Sequence, residues 1–235
     1  MAKGVEVNKP VVLVHGAWHG PWCWDRVTPH LDAAGVRWVA PDLPSCAAAF
    51  AGANEMEDNG VVRDALDALP GSEQAILLGH SRGGRVITEA GTHDRVGHLV
   101  YLAALLGEAN EDATTYASSD LYKALDSHDD GTTTVRAELG AGLFYNECNA
   151  EDFSWAAQRL RPQSHKPFES QLEPAWRARP STYVVCSRDN ALPAAGQRKM
   201  AARATTTVEW GTDHSPFVNR PELVAALLIG LSVSG

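Results

Sequence analysis

The sequence predicts an α/β fold: a doubly wound, mostly parallel sheet of about six strands that carries a small helical cap. Two observations predict this class. Short apolar runs alternate with segments of helical periodicity along most of the 235 residues, and this alternation is typical of open α/β sheets. Several runs, such as 11–14 and 75–78, are apolar at consecutive positions, which is typical of strands buried on both faces.

The predicted core elements can be placed in order along the chain. The strands are predicted at residues 11–15, 36–40, 74–79, 97–103, 181–186 and 206–210. Helical periodicity is clear at 61–69 and at 224–231, where Pro221 takes a position in the first turn. Within the helical pattern of 24–34, Pro29 predicts either a kink or a restart.

One long segment interrupts the alternation. Residues 107–179 contain no buried strand pattern, but they contain helix-like stretches near 116–125 and 150–160 and enough large apolar side chains to pack. We expect 107–179 to form a helical cap inserted in a core made of 1–106 and 180–235. A long disordered insert is the alternative.

Composition and charge restrict the class of partner. The chain has 29 acidic and 20 basic residues and a net charge of −9, which repels phosphate backbones and anionic lipids, so we expect neither nucleic acid nor membrane as a partner. The sequence predicts no transmembrane helix and no signal peptide. Its four cysteines form no Cys-x-x-Cys pair, which favours reduced thiols over disulfides or zinc. We expect a cytoplasmic monomer or homodimer.

The most specific local signal is the sequence Gly-His-Ser-Arg-Gly at 79–83, which lies between a buried strand and a helical pattern. In such a nucleophile elbow, a strained turn raises the serine hydroxyl above the sheet edge. Small residues two positions before and after the serine let the strand and helix approach closely. The N-terminus of the following helix favours a developing negative charge. We therefore predict Ser81 as a nucleophile.

A serine nucleophile needs a base and an orienting acid, which follow it in the order acid, then histidine, in this architecture. His214 follows the last predicted strand and precedes the C-terminal helix, so a loop at that sheet edge can bring its imidazole to Ser81. Asp189 follows the penultimate strand at the same edge and is the preferred acid. The alternatives for the acid are Asp213, Glu108 and Asp112.

The loop after the first strand is predicted to complete the site. Its glycines allow backbone N–H groups to turn toward Ser81, and we expect the N–H groups of Ala17 and Arg82 to form an oxyanion hole. His15 and His19 lie in the same loop, but no carboxylate or cysteine is spaced to join them on a metal. We expect both histidines to pack and form hydrogen bonds at the turn, and we predict no metal site.

Together these motifs resemble the α/β-hydrolase fold family, and more narrowly its branch of plant methylesterases, salicylate-binding esterases and hydroxynitrile lyases with their bacterial relatives. The resemblance is carried by HGAWHGPW at 15–22, GHSRGG at 79–84, DNALP at 189–193, DHSP at 213–216, LFYNEC at 143–148 and LRP at 160–162. It extends over most of the chain from Val11 to Leu228. It implies a cap-covered pocket, no cofactor and hydrolysis of small carboxylic esters. Arg82 departs from many relatives, which have an apolar residue after the serine, and the cap looks shorter than in the plant members.

These observations predict a serine carboxylesterase that works through an acyl-enzyme on small esters, methyl or aryl esters among them. The nearest alternative is a cyanohydrin-cleaving lyase, but the plant lyases that the chain resembles carry Thr or Asn at the position of Gly16. A small-ligand receptor on the same fold is the alternative from another class. The aromatic residues Trp18, Phe144 and Tyr145 are expected to line the substrate pocket.

Overall fold

The computed structural model describes residues 8–46, 53–108, 111–112, 115–166 and 173–233. The strands in chain order are β1 (Val11–Val14), β2 (Trp38–Val39), β3 (Ala75–His80), β4 (Val96–Leu102), β5 (Leu125–Ser127), β6 (Thr132–Val135), β7 (Gln163–Ser164), β8 (Ser181–Cys186) and β9 (Thr206–Trp210). The α-helices are α1 (Thr28–Ala33), α2 (Glu55–Asp67), α3 (Gly83–Ala90), α4 (Ser119–Lys123), α5 (Ala137–Phe144), α6 (Ala150–Ala157), α7 (Ala194–Ala201), α8 (Pro216–Asn219) and α9 (Pro221–Val233).

The core is a six-stranded sheet in the order β2-β1-β3-β4-β8-β9, and all of its strands are parallel. Every residue of β1, β3 and β8 is buried, because helices cover both faces of a doubly wound sheet. The predicted fold class and the six core strands are confirmed. In a parallel sheet the carboxyl ends of the strands share one edge, which is where the loops after β1, β3, β8 and β9 meet.

Alternate residues of each strand enter two apolar clusters, one on each side of the sheet. On one side Leu13, Leu78 and Leu102 pack with α1, α9 and the cap. On the other side Val14 and Leu77 pack with α2 and α3. This alternation follows from the two-residue period of a strand, and it supplies the rigid frame that holds the loops.

Around Pro29 the chain forms two separate short helices and not one kinked helix. A short 3₁₀ helix covers Pro21–Trp24, and α1 then begins with Pro29 in its first turn, where the missing N–H costs nothing. Near the other end of the chain, α9 begins at Pro221 as expected. No helix in the described ranges is long and apolar enough to cross a membrane.

The chain between β4 and β8 differs in part from the expected helical cap. It contains α4, α5 and α6, but also a three-stranded antiparallel sheet in the order β5-β6-β7. The helix predicted near 116–125 is only five residues long, and β5 follows it directly. These strands are two to four residues long and mostly half-buried or exposed, so they leave no buried apolar pattern in the sequence. The division into 1–106, 107–179 and 180–235 stays a prediction.

Candidate active site

Ser81 occupies a strained turn between β3 and α3. Its backbone has a φ of +52°, a left-handed conformation that non-glycine residues rarely adopt. A Cβ on Gly79 would lie 2.6 Å from the carbonyl oxygen of Gly83, and a Cβ on Gly83 would lie 2.6 Å from that of His15. Only glycine fits at both positions: the crossing of β3 and α3 requires Gly79, and the close approach of α3 to the end of β1 requires Gly83, on either side of the partly exposed Ser81.

His214 and Asp189 form a buried hydrogen-bonded pair at the same sheet edge. Nδ1 of His214 lies 2.6 Å from Oδ2 of Asp189, and the two residues are only 2% and 5% exposed. The carboxylate can only accept, so Nδ1 carries the hydrogen in the neutral ring and Nε2 is left as the basic nitrogen. The structure therefore brings together the predicted base and the preferred acid in the tautomer that general base catalysis needs.

The Asp189 carboxylate accepts three further hydrogen bonds besides its contact with His214. Its Oδ1 accepts from the N–H groups of Ala191 and Leu192, each at 2.8 Å. Its Oδ2 also accepts from Nε2 of Gln197 at 2.8 Å, and Gln197 is fully buried. Gln197 was not among the predicted site residues, since a glutamine followed by the exposed Arg198 and Lys199 gives no signal that its amide points inward.

His80, the residue before the nucleophile, supports the backbone of His214. Its Nε2–H donates to the carbonyl oxygen of His214 at 2.9 Å, and the two rings lie 4.6 Å apart. Burial lowers the pKa of His80 well below its usual value, so the ring stays neutral. The opposite nitrogen, Nδ1, is buried and has no hydrogen-bond partner within the described chain.

The other acid candidates lie in different surroundings. The Asp213 carboxylate accepts from the N–H groups of Ser215 and Glu147, at 3.1 Å and 3.0 Å, and burial raises its pKa. Glu108 is paired with Arg177 at 2.7 Å, near the surface, and Asp112 is exposed. The carboxylate that Nδ1 of the buried base contacts is that of Asp189.

The histidines of the loop after β1 hold that loop in shape, as expected. Nδ1–H of His15 donates to the Gly16 carbonyl oxygen at 2.9 Å. Nδ1–H of His19 donates to the Ala17 carbonyl oxygen at 2.7 Å, and its Nε2 accepts from the Tyr145 hydroxyl at 2.7 Å. Burial lowers the pKa of His19 to about 3. Across the described ranges no group of three or more His, Cys, Asp or Glu residues could hold a metal ion.

Gly16 lies against the nucleophile. A Cβ at this position would stand 2.9 Å from Cβ of Ser81 and 2.8 Å from Nδ1 of His80, closer than atoms pack. The next residue, Ala17, is 5% exposed, and its N–H donates no hydrogen bond to any described residue. The loop thus passes close to Ser81 at Gly16, where no side chain fits.

The side chain of Arg82 points away into a polar cluster. Its Nη1 donates to Oδ2 of Asp58 at 2.8 Å and to Oγ of Ser45 at 3.1 Å. The Asp58 side chain is fully buried, and the Arg82 side chain is 15% exposed. This pairing gives the Arg82 side chain a buried partner on α2.

Of the three predicted pocket aromatics, Phe144 lies against His214, Trp18 against Phe144 and Tyr145 against His19. The ring of Phe144 stands 5.5 Å from that of His214 and 5.8 Å from that of Trp18. Trp18 has a φ of +61°, and its Nε1–H donates to Oγ1 of Thr133 in β6 at 3.0 Å. Tyr145 is 1% exposed and reaches His19 rather than His214, so it supports the loop after β1.

The elbow, the buried acid–histidine pair and the parallel sheet together define an α/β hydrolase. The chain belongs to the alpha/beta hydrolase family, whose sequence model matches residues 11–227.

Relatives of known name span nearly the whole chain. It is 30% identical to a pyrethroid hydrolase of Sphingobium wenxiniae, over 92% of this chain and 84% of that protein. It is 28% identical to the pFDCC methylesterase MES16 of Arabidopsis thaliana, over 96% of this chain and 95% of that protein. Among solved structures, a pyrethroid hydrolase from Sphingobium faniae superposes with a TM-score of 0.83 at 26% identity, over 95% of this chain and 97% of the other.

Proposed function

We propose that the protein is a serine carboxylesterase of small carboxylic esters, methyl or aryl esters among them, with Ser81, His214 and Asp189 as its catalytic triad. The observation that carries the proposal is the 2.6 Å contact between Nδ1 of His214 and Asp189, at the sheet edge where Ser81 occupies its strained turn. The contact leaves Nε2 of His214 as the basic nitrogen, which is what activation of a serine requires.

Each residue then has a defined step. Nε2 of His214 takes the hydroxyl proton as Ser81 Oγ attacks the ester carbonyl, and the N–H groups of Ala17 and Arg82 stabilise the oxyanion. The protonated His214 gives its proton to the leaving alcohol, and an acyl-enzyme remains. His214 next takes a proton from water as its oxygen attacks the acyl carbon. The protonated His214 then returns that proton to Ser81 Oγ as the bond to the acyl group breaks and the acid is released. Asp189 fixes the tautomer of His214 and stabilises its cation.

The names of the relatives support an ester substrate. The matched proteins include a methylesterase from Arabidopsis thaliana, a methyl jasmonate esterase from Vitis vinifera and a pyrethroid hydrolase from Sphingobium wenxiniae. Two of these names specify an esterase and the third a hydrolase, each for a different compound. We therefore extend the reaction class to this chain and leave the alcohol and acyl groups to be determined.

The surroundings of Gly16 favour hydrolysis over cyanohydrin cleavage. A lyase must hold the substrate hydroxyl beside the base with a polar side chain, and any side chain at this position would collide with Ser81 and His80. An esterase needs only backbone N–H groups there. A receptor without turnover would not need the buried pair of Asp189 and His214.

The deciding experiment is an activity panel with the purified protein. We expect hydrolysis of short p-nitrophenyl and methyl esters, stoichiometric labelling of Ser81 by a fluorophosphonate, and no mandelonitrile cleavage above the buffer rate. Ser81→Ala is the control for both hydrolysis and labelling. Mandelonitrile cleavage without ester turnover would establish the lyase instead, and binding of esters without either reaction would favour the receptor.

We also propose that the enzyme is cytoplasmic and acts as a monomer or homodimer, without cofactor, nucleic acid or membrane partner. The net charge of −9 and the four unpaired cysteines support a reducing compartment and a small-molecule partner. Residues 107–179 would form the cap on a core of 1–106 and 180–235. Light scattering of the purified protein distinguishes monomer from homodimer, and other assemblies would contradict the proposal.

A further inference from the structure

One segment of the cap touches both loops that carry the acid and the base. We call residues 142–148 the strap. It comprises the end of α5 and the turn that follows it. The ring of Phe144, within the strap, also stands 5.5 Å from the ring of His214. The strap is therefore placed so that a shift of the cap would move side chains that lie next to the triad.

The strap binds the acid loop on both sides of its carboxylate. Nδ2 of Asn190, the residue after the acid, donates to the carbonyl oxygen of Gly142 at 2.7 Å. Nδ2 of Asn146 donates to the carbonyl oxygen of Arg188, the residue before the acid, at 3.0 Å. The two residues that flank the acid in sequence are thus each joined to the strap.

Asp213 makes the equivalent connection to the base loop. It is fully buried, and each of its two oxygens accepts a hydrogen bond from a different segment. Oδ1 accepts from the N–H of Ser215 at 3.1 Å, within the base loop, and Oδ2 accepts from the N–H of Glu147 in the strap at 3.0 Å. One carboxylate therefore ties the residues on either side of His214 to the cap.

The core also holds these loops. Nε2–H of His80 donates to the carbonyl oxygen of His214 at 2.9 Å, and the N–H of Arg188 donates to the carbonyl oxygen of Thr212 at 3.0 Å. The approximate position of the base is thus set without the cap. What the strap adds is a second attachment, which restricts the remaining freedom of the imidazole.

We propose that Asp213 is a positioning residue that couples the cap to the triad: through the strap, the packing of the cap fixes where the His214 imidazole stands relative to Ser81. This inference rests on the proposed esterase function. Asp213 touches neither the substrate nor the reacting atoms in this scheme. It acts through the backbone of the base loop.

The test is Asp213→Asn. An asparagine can still accept from the N–H of Ser215, but its NH₂ then faces the N–H of Glu147, so the contact to the strap is lost. We expect kcat for a p-nitrophenyl ester, and the rate of fluorophosphonate labelling of Ser81, to fall about tenfold, with KM within about twofold of the wild type. A purely structural role would lower the melting temperature without separating kcat from KM.

The matched control is Asp152→Asn. Asp152 in α6 of the cap forms an ion pair with Arg26 of the core at 2.7 Å, so its loss loosens the cap at a point where none of the strap contacts is made. We expect its kcat to stay within about twofold of the wild type. An equal loss in Asp152→Asn, or an unchanged kcat in a folded Asp213→Asn, would overturn the inference.

Asn146→Ala provides a second test if Asp213→Asn does not fold. It removes the contact to Arg188 at a half-buried site and leaves the carboxylate of Asp213 in place. We expect a lower kcat at unchanged KM. Where Asp213→Asn does fold, the loss in the double variant should be smaller than the product of the two single losses, because both substitutions act through one segment. An unchanged kcat in Asn146→Ala, or strictly multiplicative losses, would count against the strap. An active Ser81→Ala would instead refute the esterase proposal itself.

Discussion

Replacing Asp189 by asparagine should lower kcat by roughly 10⁴ while KM stays near the wild-type value. Four hydrogen-bond donors surround this carboxylate. The N–H groups of Ala191 and Leu192 reach Oδ1 at 2.8 Å, and Nε2 of Gln197 and Nδ1 of His214 reach Oδ2 at 2.8 Å and 2.6 Å. An amide of the same shape has one acceptor oxygen, so it cannot satisfy both groups of donors.

The orientation of the amide follows from these contacts. Its oxygen stays with the two backbone N–H groups, and its NH₂ turns toward Gln197 and His214. The imidazole must then accept at Nδ1 and carry its hydrogen on Nε2, the nitrogen that has to receive the proton of Ser81. The wrong tautomer raises the barrier by about 5 kcal/mol, the equivalent of the 10⁴-fold loss. The donors facing each other near Gln197 cost about 1–3 kcal/mol of stability.

The assay is steady-state hydrolysis of the best p-nitrophenyl ester, with thermal unfolding measured on the same preparations. Asp213→Asn is the matched comparison, because it neutralises a second buried carboxylate next to the same histidine and is expected to cost only about tenfold. The acid assignment is wrong if Asp189→Asn retains a tenth or more of the wild-type kcat. It is equally wrong if Asp213→Asn or Glu108→Gln proves to be the crippling change.

Three further outcomes are expected. Ser81→Ala should lose about 10⁶ in kcat and keep its fold, since one hydroxyl is removed; ester turnover near the wild-type rate would exclude Ser81 as nucleophile. Gly16→Ala should lose about 10² in kcat, because its Cβ would displace Ser81. Gly60→Ala, with open space around its Cβ, should keep full activity; equal kcat in the two variants would contradict this reasoning. The pKa of buried His19 is about 3 against 6.5 when unfolded, so the unfolded state binds a proton first as pH falls below 6.5. The free energy of unfolding, measured in urea, should fall by about 2 kcal/mol from this residue at pH 5, and a His19→Asn variant that keeps the full decline would refute that origin.

The core was predictable because its signals are local. β8 and β9 lie where the sequence indicated, and the other core strands differ at their ends by at most two residues. Consecutive apolar residues can be read without knowing their neighbours in space. The same holds for Gly79 of the elbow, which is required by a crossing between β3 and α3, two elements that adjoin in sequence.

The contacts that complete the site are not local. Gln197 reaches Asp189 from the next helix, and Glu147 reaches Asp213 across 66 positions of the chain. Each contact joins a polar group to a polar group and leaves no periodic trace in the sequence. The small sheet of the cap was not predicted for a related reason: β6 has the sequence Thr-Thr-Thr-Val, and only its Thr132 is buried.

At Arg82 the side chain and the backbone have different roles: the side chain forms a buried ion pair, and the backbone N–H is a proposed donor of the oxyanion hole. Its guanidinium forms an ion pair with Asp58, a fully buried carboxylate on α2 that also accepts hydrogen bonds from the N–H and hydroxyl of Ser45. A buried charge of either sign would be costly without its partner, so the acid on α2 and the arginine after the nucleophile require each other. The oxyanion hole, in contrast, requires only the N–H of this residue, which every amino acid except proline supplies. The position can therefore carry an arginine without altering the chemistry proposed for Ser81.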